Sequence, residues 1–550
     1  MLLECNQIKL VLNFKSYNLR VMKKTLFIIA IGCILFSCKQ TVKNVSVAAV
    51  QFDSSYKTAA FADADRKEKI KLAYAVIDSI YKKHAEENHF PAIAFGLVVD
   101  GELVYKNSYG YTDIAKKTAA STSSLFRIAS MSKSFTCMAI LKLRDEGKLN
   151  LDDPAYLYIP ELKNLKYPTA DAQHITIRHL MTHGAGFPED NPWGDRQLAD
   201  TDKELMEFIS KQITFSNPPG IAYEYSNLGF ALQGKIITKV SGMRYQDYIK
   251  KNILEPLGMK YTTYEYADVA ADKLAHGYRW LNEQWNEEEL LHDIPDGSWG
   301  AMGSMISSID EFGNYMALHL SAWPPNNVKD DGPIKRSSVR EMHHPWRWNG
   351  LNPNFTFSDG RTCAVTSAYT YGLGWMKDCD DKTYISHSGG LPGFGSQWRI
   401  MPEYGIGVVA FANRTYSPFG TVNLKVLDTI IKIAGLKPRE LPASKILKQR
   451  KNELMLILPD WKDAEKSGVF AENFFPDNPI DSLKKYSKEL FAKAEKNLVV
   501  KEMKAENQLR GSFIIEGENA KLEVYFTLSP ENPPTIQAFT IKEMPKVKNK

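Results

Sequence analysis

Cysteine is scarce in this chain: six residues in 550, and from Cys38 onward no two of them are spaced as a zinc site requires. That excludes the cysteine-built zinc modules. Charge of one sign is also lacking. The formal net charge is +5, but residues 1–37 hold five Lys/Arg against one acid, which leaves 64 basic and 63 acidic groups in the remainder. A balance so close to neutral leaves no electrostatic footprint for nucleic acid. The longest apolar run, Leu26 to Phe36, is eleven residues, well short of the roughly 20 that cross a bilayer as a helix. What remains is an ordinary globular composition, 44% hydrophobic, 24% charged and 11% aromatic, long enough for two or three domains.

The short apolar run has a use of its own. Met22-Lys23-Lys24 ahead of it and Leu35-Phe36-Ser37-Cys38 behind it make a basic n-region, an h-region and a closing cysteine. This resembles a bacterial lipoprotein signal, with Met22 as the natural start, residues 1–37 as leader and Cys38 as the lipidated N-terminus. The expectation is an exported cell-envelope protein, held to a membrane through Cys38 and tethered by residues 38–65. Cys137, Cys363 and Cys379 then remain. Cys137 reads as a buried small hydrophobe. Cys363 and Cys379 flank a strand-like run, and an exported protein could join them.

Apolar positions at helical spacing mark residues 66–88, and strand-like runs Ile93–Val99 and Glu102–Tyr109 flank an Asp100-Gly101 turn. Helical patterns dominate from residue 130 to about 320. Strand-like runs return at Tyr371–Met376, Lys382–His387, Gln397–Met401 and Gly405–Ala412, and a helical pattern follows at Val422–Ala434. Strands at both ends with helices between them predict an α+β fold: one antiparallel sheet completed by the two ends of residues 66–438 and flanked by helices, beside a helical subdomain. Residues 445–550 are Lys/Glu-rich, with a helical pattern at Ile480–Ala494 and strand-like runs at Leu509–Ile515, Lys521–Leu528 and Thr535–Ile541. They read as a small separate α+β domain with no cluster that suggests chemistry.

Chemistry is suggested by Ser130-Met131-Ser132-Lys133. On a helix the i and i+3 side chains share a face, so Lys133 could deprotonate Ser130 if burial lowers its pKa. The spacing alone is weak, since Ser54/Lys57, Ser79/Lys82 and Ser482/Lys485 share it. The apolar stretch running on to Leu143 sets the Ser130 copy apart, because it would bury the lysine. A serine–lysine pair also needs a proton shuttle and oxyanion donors. Tyr225, in Pro219-Gly220-Ile221-Ala222-Tyr223-Glu224-Tyr225-Ser226-Asn227, could relay the proton if adjacent cations lower its pKa, and Asn227 could donate its amide to a substrate carbonyl. Tyr105-Lys106-Asn107 has the same Tyr-x-Asn spacing, so again the context carries the signal. His387-Ser388-Gly389-Gly390 ends a strand-like run in a glycine-rich turn. There the N–H of Gly390 could pair with that of Ser130 as an oxyanion hole, and His387 could hold a substrate carboxylate or help keep Lys133 and Tyr225 deprotonated.

Together, Ser130-x-x-Lys133, Tyr225-x-Asn227 and His387-Ser388-Gly389 resemble the serine β-lactamase and penicillin-binding-protein superfamily, nearest its class C branch of β-lactamases, related esterases and D-amino-acid-specific peptidases. Two further stretches fit the likeness, Ile177–Gly186 and Gly300–Met305. The resemblance spans about residues 66–436. It implies Ser130 as nucleophile, Lys133 as its activator, Tyr225 as general base and acid, and the N–H groups of Ser130 and Gly390 as oxyanion hole. Asn227, Ser388 and Gly389 would contact substrate. The implied reaction is hydrolysis of a small-molecule or peptide ester or amide through an acyl-enzyme, with no cofactor. β-Lactamases of this branch carry Lys where this chain has His387, which looks more like the esterases and D-peptidases. A β-lactamase or a transacylase stays open.

Two rival readings come from other classes. His179-x-x-x-His183 has the i, i+4 spacing of a zinc pair, but Leu180 stands where a glutamate is expected. A non-catalytic or slowly acylated lipoprotein could reuse the same fold. Trp193, Trp280, Trp285 and Trp299 could line an apolar pocket or simply be core.

Overall fold

The computed structural model describes residues 55–288 and 295–545. The expected leader, Cys38 and most of the tether lie outside them.

The sheet is built as its residues dictate. Strand β1 (Ala92–Val99) turns at Asp100-Gly101 into β2 (Glu102–Asp113), and β3 (Thr118–Ala119) adds an edge. After the helical region come β4 (Arg347–Thr356), β5 (Thr362–Tyr369), β6 (Gly374–Asp378), β7 (Thr383–Leu391), β8 (Phe394–Met401) and β9 (Ile406–Ala412). These nine strands lie in the order β3-β2-β1-β9-β8-β7-β6-β5-β4, every pair antiparallel. The seam is β1 against β9, where Ile93 faces Ala412. One sheet is therefore closed by the two ends of the region, as the sequence predicts. The terminal pair β4 and β5 has no counterpart in the sequence reading. β4 carries Asn349, Gly350, Asn352 and Pro353 in mostly exposed positions, and such residues read as loop unless the strand is an edge.

Alternation assigns the two faces. Ile93, Phe95, Leu97 and Val99 pack with Ile77 and Tyr81 of helix α1 (Tyr74–Glu87). Ala92, Ala94 and Val98 turn the other way, toward the core that holds helix α2 (Ser132–Asp145), helix α3 (Asn227–Ser241) and helix α4 (Ile309–Ser321). Helix α5 (Gly420–Ala434) joins α1 on the first face through Val422, Val426 and Leu427. Eleven of the fourteen residues of α2 are buried, so burial rather than amphipathic patterning holds it.

Residues 443–541 gather a separate core around Trp461, Phe474, Phe513, Val524 and Phe526. It is made by helix α6 (Lys445–Ile457), helix α7 (Ile480–Ala494) and strands β10 (Val499–Val500), β11 (Lys504–Asn507), β12 (Arg510–Glu516), β13 (Lys521–Leu528) and β14 (Ile536–Glu543). Among the described residues no helix is long and apolar enough to cross a membrane.

Candidate active site

Ser130 sits in one tight turn, Ala129–Met131, immediately before α2. Ala129 takes φ = 51°, a left-handed conformation that costs an L-residue roughly 1–2 kcal/mol. The turn is held against β7 and β8. Ser396 Oγ donates to the carbonyl of Ile128 at 2.8 Å, and a Cβ on Gly389 would stand 2.1 Å from that same oxygen. Only glycine lets β7 come this close.

Lys133, the second residue of α2 and one turn past Ser130, is completely buried. Its Nζ is 2.9 Å from Ser130 Oγ, 2.7 Å from Asn227 Oδ1 and 2.8 Å from the carbonyl of Met302, three acceptors for three amine protons. Burial draws its pKa down to about 7, against the opposing pull of Asp190 and Asp195. Near neutral pH the amine therefore gives up one proton readily, and its lone pair can then accept the proton of Ser130. Asn227 begins α3. Its N–H and that of Leu228 donate to Asp190 at 2.6 and 2.9 Å, an acidic cap on the helix N-terminus.

Ser130, Tyr225, His387, Ser388, Gly389 and Gly390 line one cavity of about 740 Å³, with Lys133 and Asn227 directly behind Ser130. The site residues singled out in the sequence thus come together, but three of them differ in state from the expectation. Tyr225 lies in hydrogen-bonding reach of Ser130, with Lys133 Nζ 4.9 Å from its ring centre. Burial nevertheless pushes its phenol well above the ordinary value, and the bond to Ser130 offsets this only in part. The free site holds a phenol, and Lys133 is the group poised as base.

Asn227 is the second correction. It has no exposed surface, and its amide nitrogen donates to Asn191 Oδ1 at 2.7 Å. It positions Lys133, while Asn191 is the amide on the cavity wall.

His387 is the third. Its Nδ1 lies 2.6 Å from the carbonyl of Ser388, which can only accept, so Nδ1 carries the proton and Nε2 accepts from the Tyr369 hydroxyl at 2.9 Å. Burial, and then Lys133, lower its pKa to about 3. A neutral imidazole with both nitrogens engaged is no anchor for a carboxylate, and it does not lend positive charge to its neighbours.

The sequence reading missed Asn191, Asp195, Tyr369 and Tyr416. Asp195, 2% exposed, accepts from the Tyr416 hydroxyl at 2.9 Å across the cavity, and burial raises its carboxyl to about 6. The only signal available was that Asn191 and Asp195 flank Trp193, one of the tryptophans read from the sequence as possible pocket lining. Of the four tryptophans, none lines this cavity: Trp299 is core, Trp193 packs on it, and Trp280 stacks on His89. The two histidines at zinc spacing are taken up structurally. His179 Nδ1 accepts from the N–H of Thr176 and His183 Nδ1 from that of Ser226. Cys363 and Cys379 form a disulfide between the start of β5 and the end of β6, and Cys137 is a buried free thiol.

A serine hydroxyl, a buried lysine of lowered pKa and a phenol around one cavity, on an antiparallel sheet with a helical layer, fit the class of serine β-lactamase and penicillin-binding-protein folds. The comparisons agree. A family model described as Beta-lactamase matches residues 77–429, and the chain belongs to that family of β-lactamase-like serine hydrolases. Protein flp of Staphylococcus aureus (strain MW2) is 30% identical over 349 residues, covering 62% of this chain and 64% of that protein. Beta-lactamase-like protein 2 of Dictyostelium discoideum is 28% identical over 400 residues, covering 68% and 67%. The chain thus spans somewhat under two thirds of the length of the flp relatives. Among solved structures, the octameric penicillin-binding protein homologue from Pyrococcus abyssi aligns with a TM-score of 0.54 at 21% identity, covering 85% of this chain and 99% of that one. The penicillin-binding protein from Bacillus halodurans gives 0.50 at 21%, covering 65% and 99%. At that identity the likeness is one of fold.

Proposed function

We propose that the protein hydrolyses an ester or amide through an acyl-enzyme on Ser130, as an esterase or D-amino-acid peptidase. The observation that carries this is the buried Lys133, with a pKa near 7 and Nζ 2.9 Å from Ser130 Oγ. Neutral Lys133 takes the hydroxyl proton as Oγ attacks the substrate carbonyl, and the N–H groups of Ser130 and Gly390 receive the oxyanion. Tyr225, still a phenol, protonates the departing oxygen or nitrogen and regains its proton from Lys133. Water then attacks the acyl-enzyme, and the proton it loses restores Ser130. The neutral state of His387 favours esterase or peptidase over β-lactamase, because no fixed cation stands at that position. The Cys363–Cys379 disulfide supports an exported location.

The test is turnover of a short-chain nitrophenyl ester, a D-alanyl peptide and a chromogenic cephalosporin by the wild-type, Ser130→Ala and Tyr225→Phe proteins. Ester or peptide turnover is expected to vanish in Ser130→Ala. In Tyr225→Phe it should fall by about 10²–10⁴, the usual contribution of a positioned acid–base group. Turnover that persists in Ser130→Ala, or silence of folded wild-type protein on all three substrates, overturns the proposal. Fast cephalosporin turnover overturns the argument from His387.

A further inference from the structure

Two loops, one from the helical region and one from the sheet, meet across the cavity. Asp195 lies in the tight turn Gly194–Arg196 of the helical region. A Cβ on Gly194 would stand 2.9 Å from Cβ and Nδ2 of Asn227, so the turn is seated on the residue that positions Lys133. Tyr416 follows β9, and its N–H donates to the carbonyl of Phe394 at 3.0 Å. A Cβ on Gly395 would stand 2.3 Å from the backbone nitrogen of Ser417, so this second loop is pressed onto the start of β8.

Tyr416 is the unexplained residue. It takes φ = 51°, a conformation that costs an L-residue roughly 1–2 kcal/mol, and strain of this kind gathers at ligand clamps. It lines the cavity yet is 43% exposed, so its ring stands where the cavity opens. The ring lies against Gly390, where a Cβ would be 2.8 Å from Tyr416 Cδ1. Among the described residues, the 2.9 Å bond from its hydroxyl to Asp195 Oδ2 is the one hydrogen bond that either side chain makes. Burying a carboxylate for a single bond to a half-exposed phenol does little for stability. What the bond does is draw the two loops together and close the cavity on this side.

Strand order gives the cavity two arms. β6, β5 and β4 lie on one side of β7, and there the cavity reaches Ala368, Trp375 and Asn349. Tyr225 stands on that side, since His183 packs against both Tyr225 and Tyr369 at the end of β5. β8 and β9 lie on the other side, where Tyr416 and Asp195 meet. A leaving group that takes its proton from Tyr225 lies toward the first arm, and the acyl part is left with the second. We propose that Tyr416 is a specificity-determining residue that limits the acyl part to a short, unbranched group, with Asp195 as the positioning residue that pins its ring. The substrate class is then a small acyl group joined to a bulkier alcohol or amine. This deepens the acyl-enzyme reading and rests on it.

The experiment measures kcat/KM for the 4-nitrophenyl esters of acetate, butyrate and 2-ethylbutyrate, and compares the acetate to 2-ethylbutyrate ratio between proteins so that intrinsic reactivity cancels. Tyr416→Ala should lower that ratio by about tenfold or more, the worth of one or two methylenes in a closed pocket. Tyr416→Phe and Asp195→Ala keep the ring but unpin it, and should each lower the ratio by about threefold. Asp195→Asn, whose amide oxygen still accepts from the hydroxyl, should restore the wild-type ratio. Acetates of phenol and 1-naphthol, which vary the leaving group instead, should keep their ratio in all four variants. An unchanged acyl ratio in Tyr416→Ala overturns the proposal, and so does an equal shift in the leaving-group series. A binding arm separates this from the catalytic reading: calorimetry of the acetate and 2-ethylbutyrate esters with Ser130→Ala protein, with and without Tyr416→Ala. Selective tightening of the 2-ethylbutyrate ester by Tyr416→Ala sustains the proposal even where no ester is turned over. No such tightening counts against it even where esters are hydrolysed.

Discussion

Replacing Lys133 with Met should stabilise the protein at neutral pH and destabilise it at alkaline pH. An unfolded lysine binds its proton up to about pH 10.5, whereas the folded Lys133 releases it near 7. At pH 7 and below, the folded state therefore bears almost the whole cost of the displaced proton, about 5 kcal/mol at roughly 1.4 kcal/mol per pH unit. Between pH 7 and 10.5 the unfolded chain binds more protons than the folded one. Wild-type stability therefore rises with pH by about 1.4 kcal/mol per unit, and the cost is gone above 10.5. Met fills a similar volume and carries no charge, but it removes the three hydrogen bonds to Ser130 Oγ, Asn227 Oδ1 and the Met302 carbonyl, at about 1 kcal/mol each. The net expectation is a Lys133→Met protein more stable than wild type by about 2 kcal/mol at pH 7 and less stable by about 1 kcal/mol at pH 9. Urea unfolding followed by tryptophan fluorescence at the two pH values measures both. A stability difference that does not change with pH would refute the buried, proton-releasing lysine, whatever happened to activity. The same pKa predicts that acylation of Ser130 in wild-type protein accelerates as pH rises through about 7. No inflection from His387 should appear at that pH, since its pKa is about 3.

Gly389→Ala should cost more than the roughly 1–3 kcal/mol of ordinary overpacking and slow acylation as well, because its Cβ would lie 2.1 Å from the Ile128 carbonyl and 2.4 Å from Ser396 Oγ. Gly390→Ala, which meets only the movable ring of Tyr416 at 2.8 Å, should unfold later on heating than Gly389→Ala, and equal melting temperatures would contradict this. Reducing the Cys363–Cys379 bond, whose sequence separation is 16, should remove about 3 kcal/mol by freeing the unfolded chain. An unfolding midpoint indifferent to reductant would contradict that.

The sequence made the architecture legible where one periodicity ran unopposed. The all-apolar β1, the alternating β13 and the helical spacing of α5 announce themselves. β4 did not, because an edge strand tolerates the Asn, Gly and Pro that signal a loop, and pairing with β5 overrides local preference. In the site, the identity of Ser130, Lys133 and Tyr225 was visible as spacing and context. The protonation states of Tyr225 and His387 were not, because they follow from burial and from partners such as Tyr369, 18 residues before His387. Asn227 was placed in the right neighbourhood with the wrong neighbour: the Lys133 and Asn191 contacts that consume its amide are long-range.

The seam at β1 and β9 sets a delay during synthesis. Ile93 cannot meet Ala412 until the ribosome has made everything between them, which at about 5–20 residues per second takes roughly 15–60 s. For that interval β1, a strand whose eight residues all end up buried, has only α1 on one face and the β2 hairpin at one edge to shield it. Its free edge is a template for wrong pairing. Such a chain leaves the ribosome dependent on whatever keeps β1 from sticking.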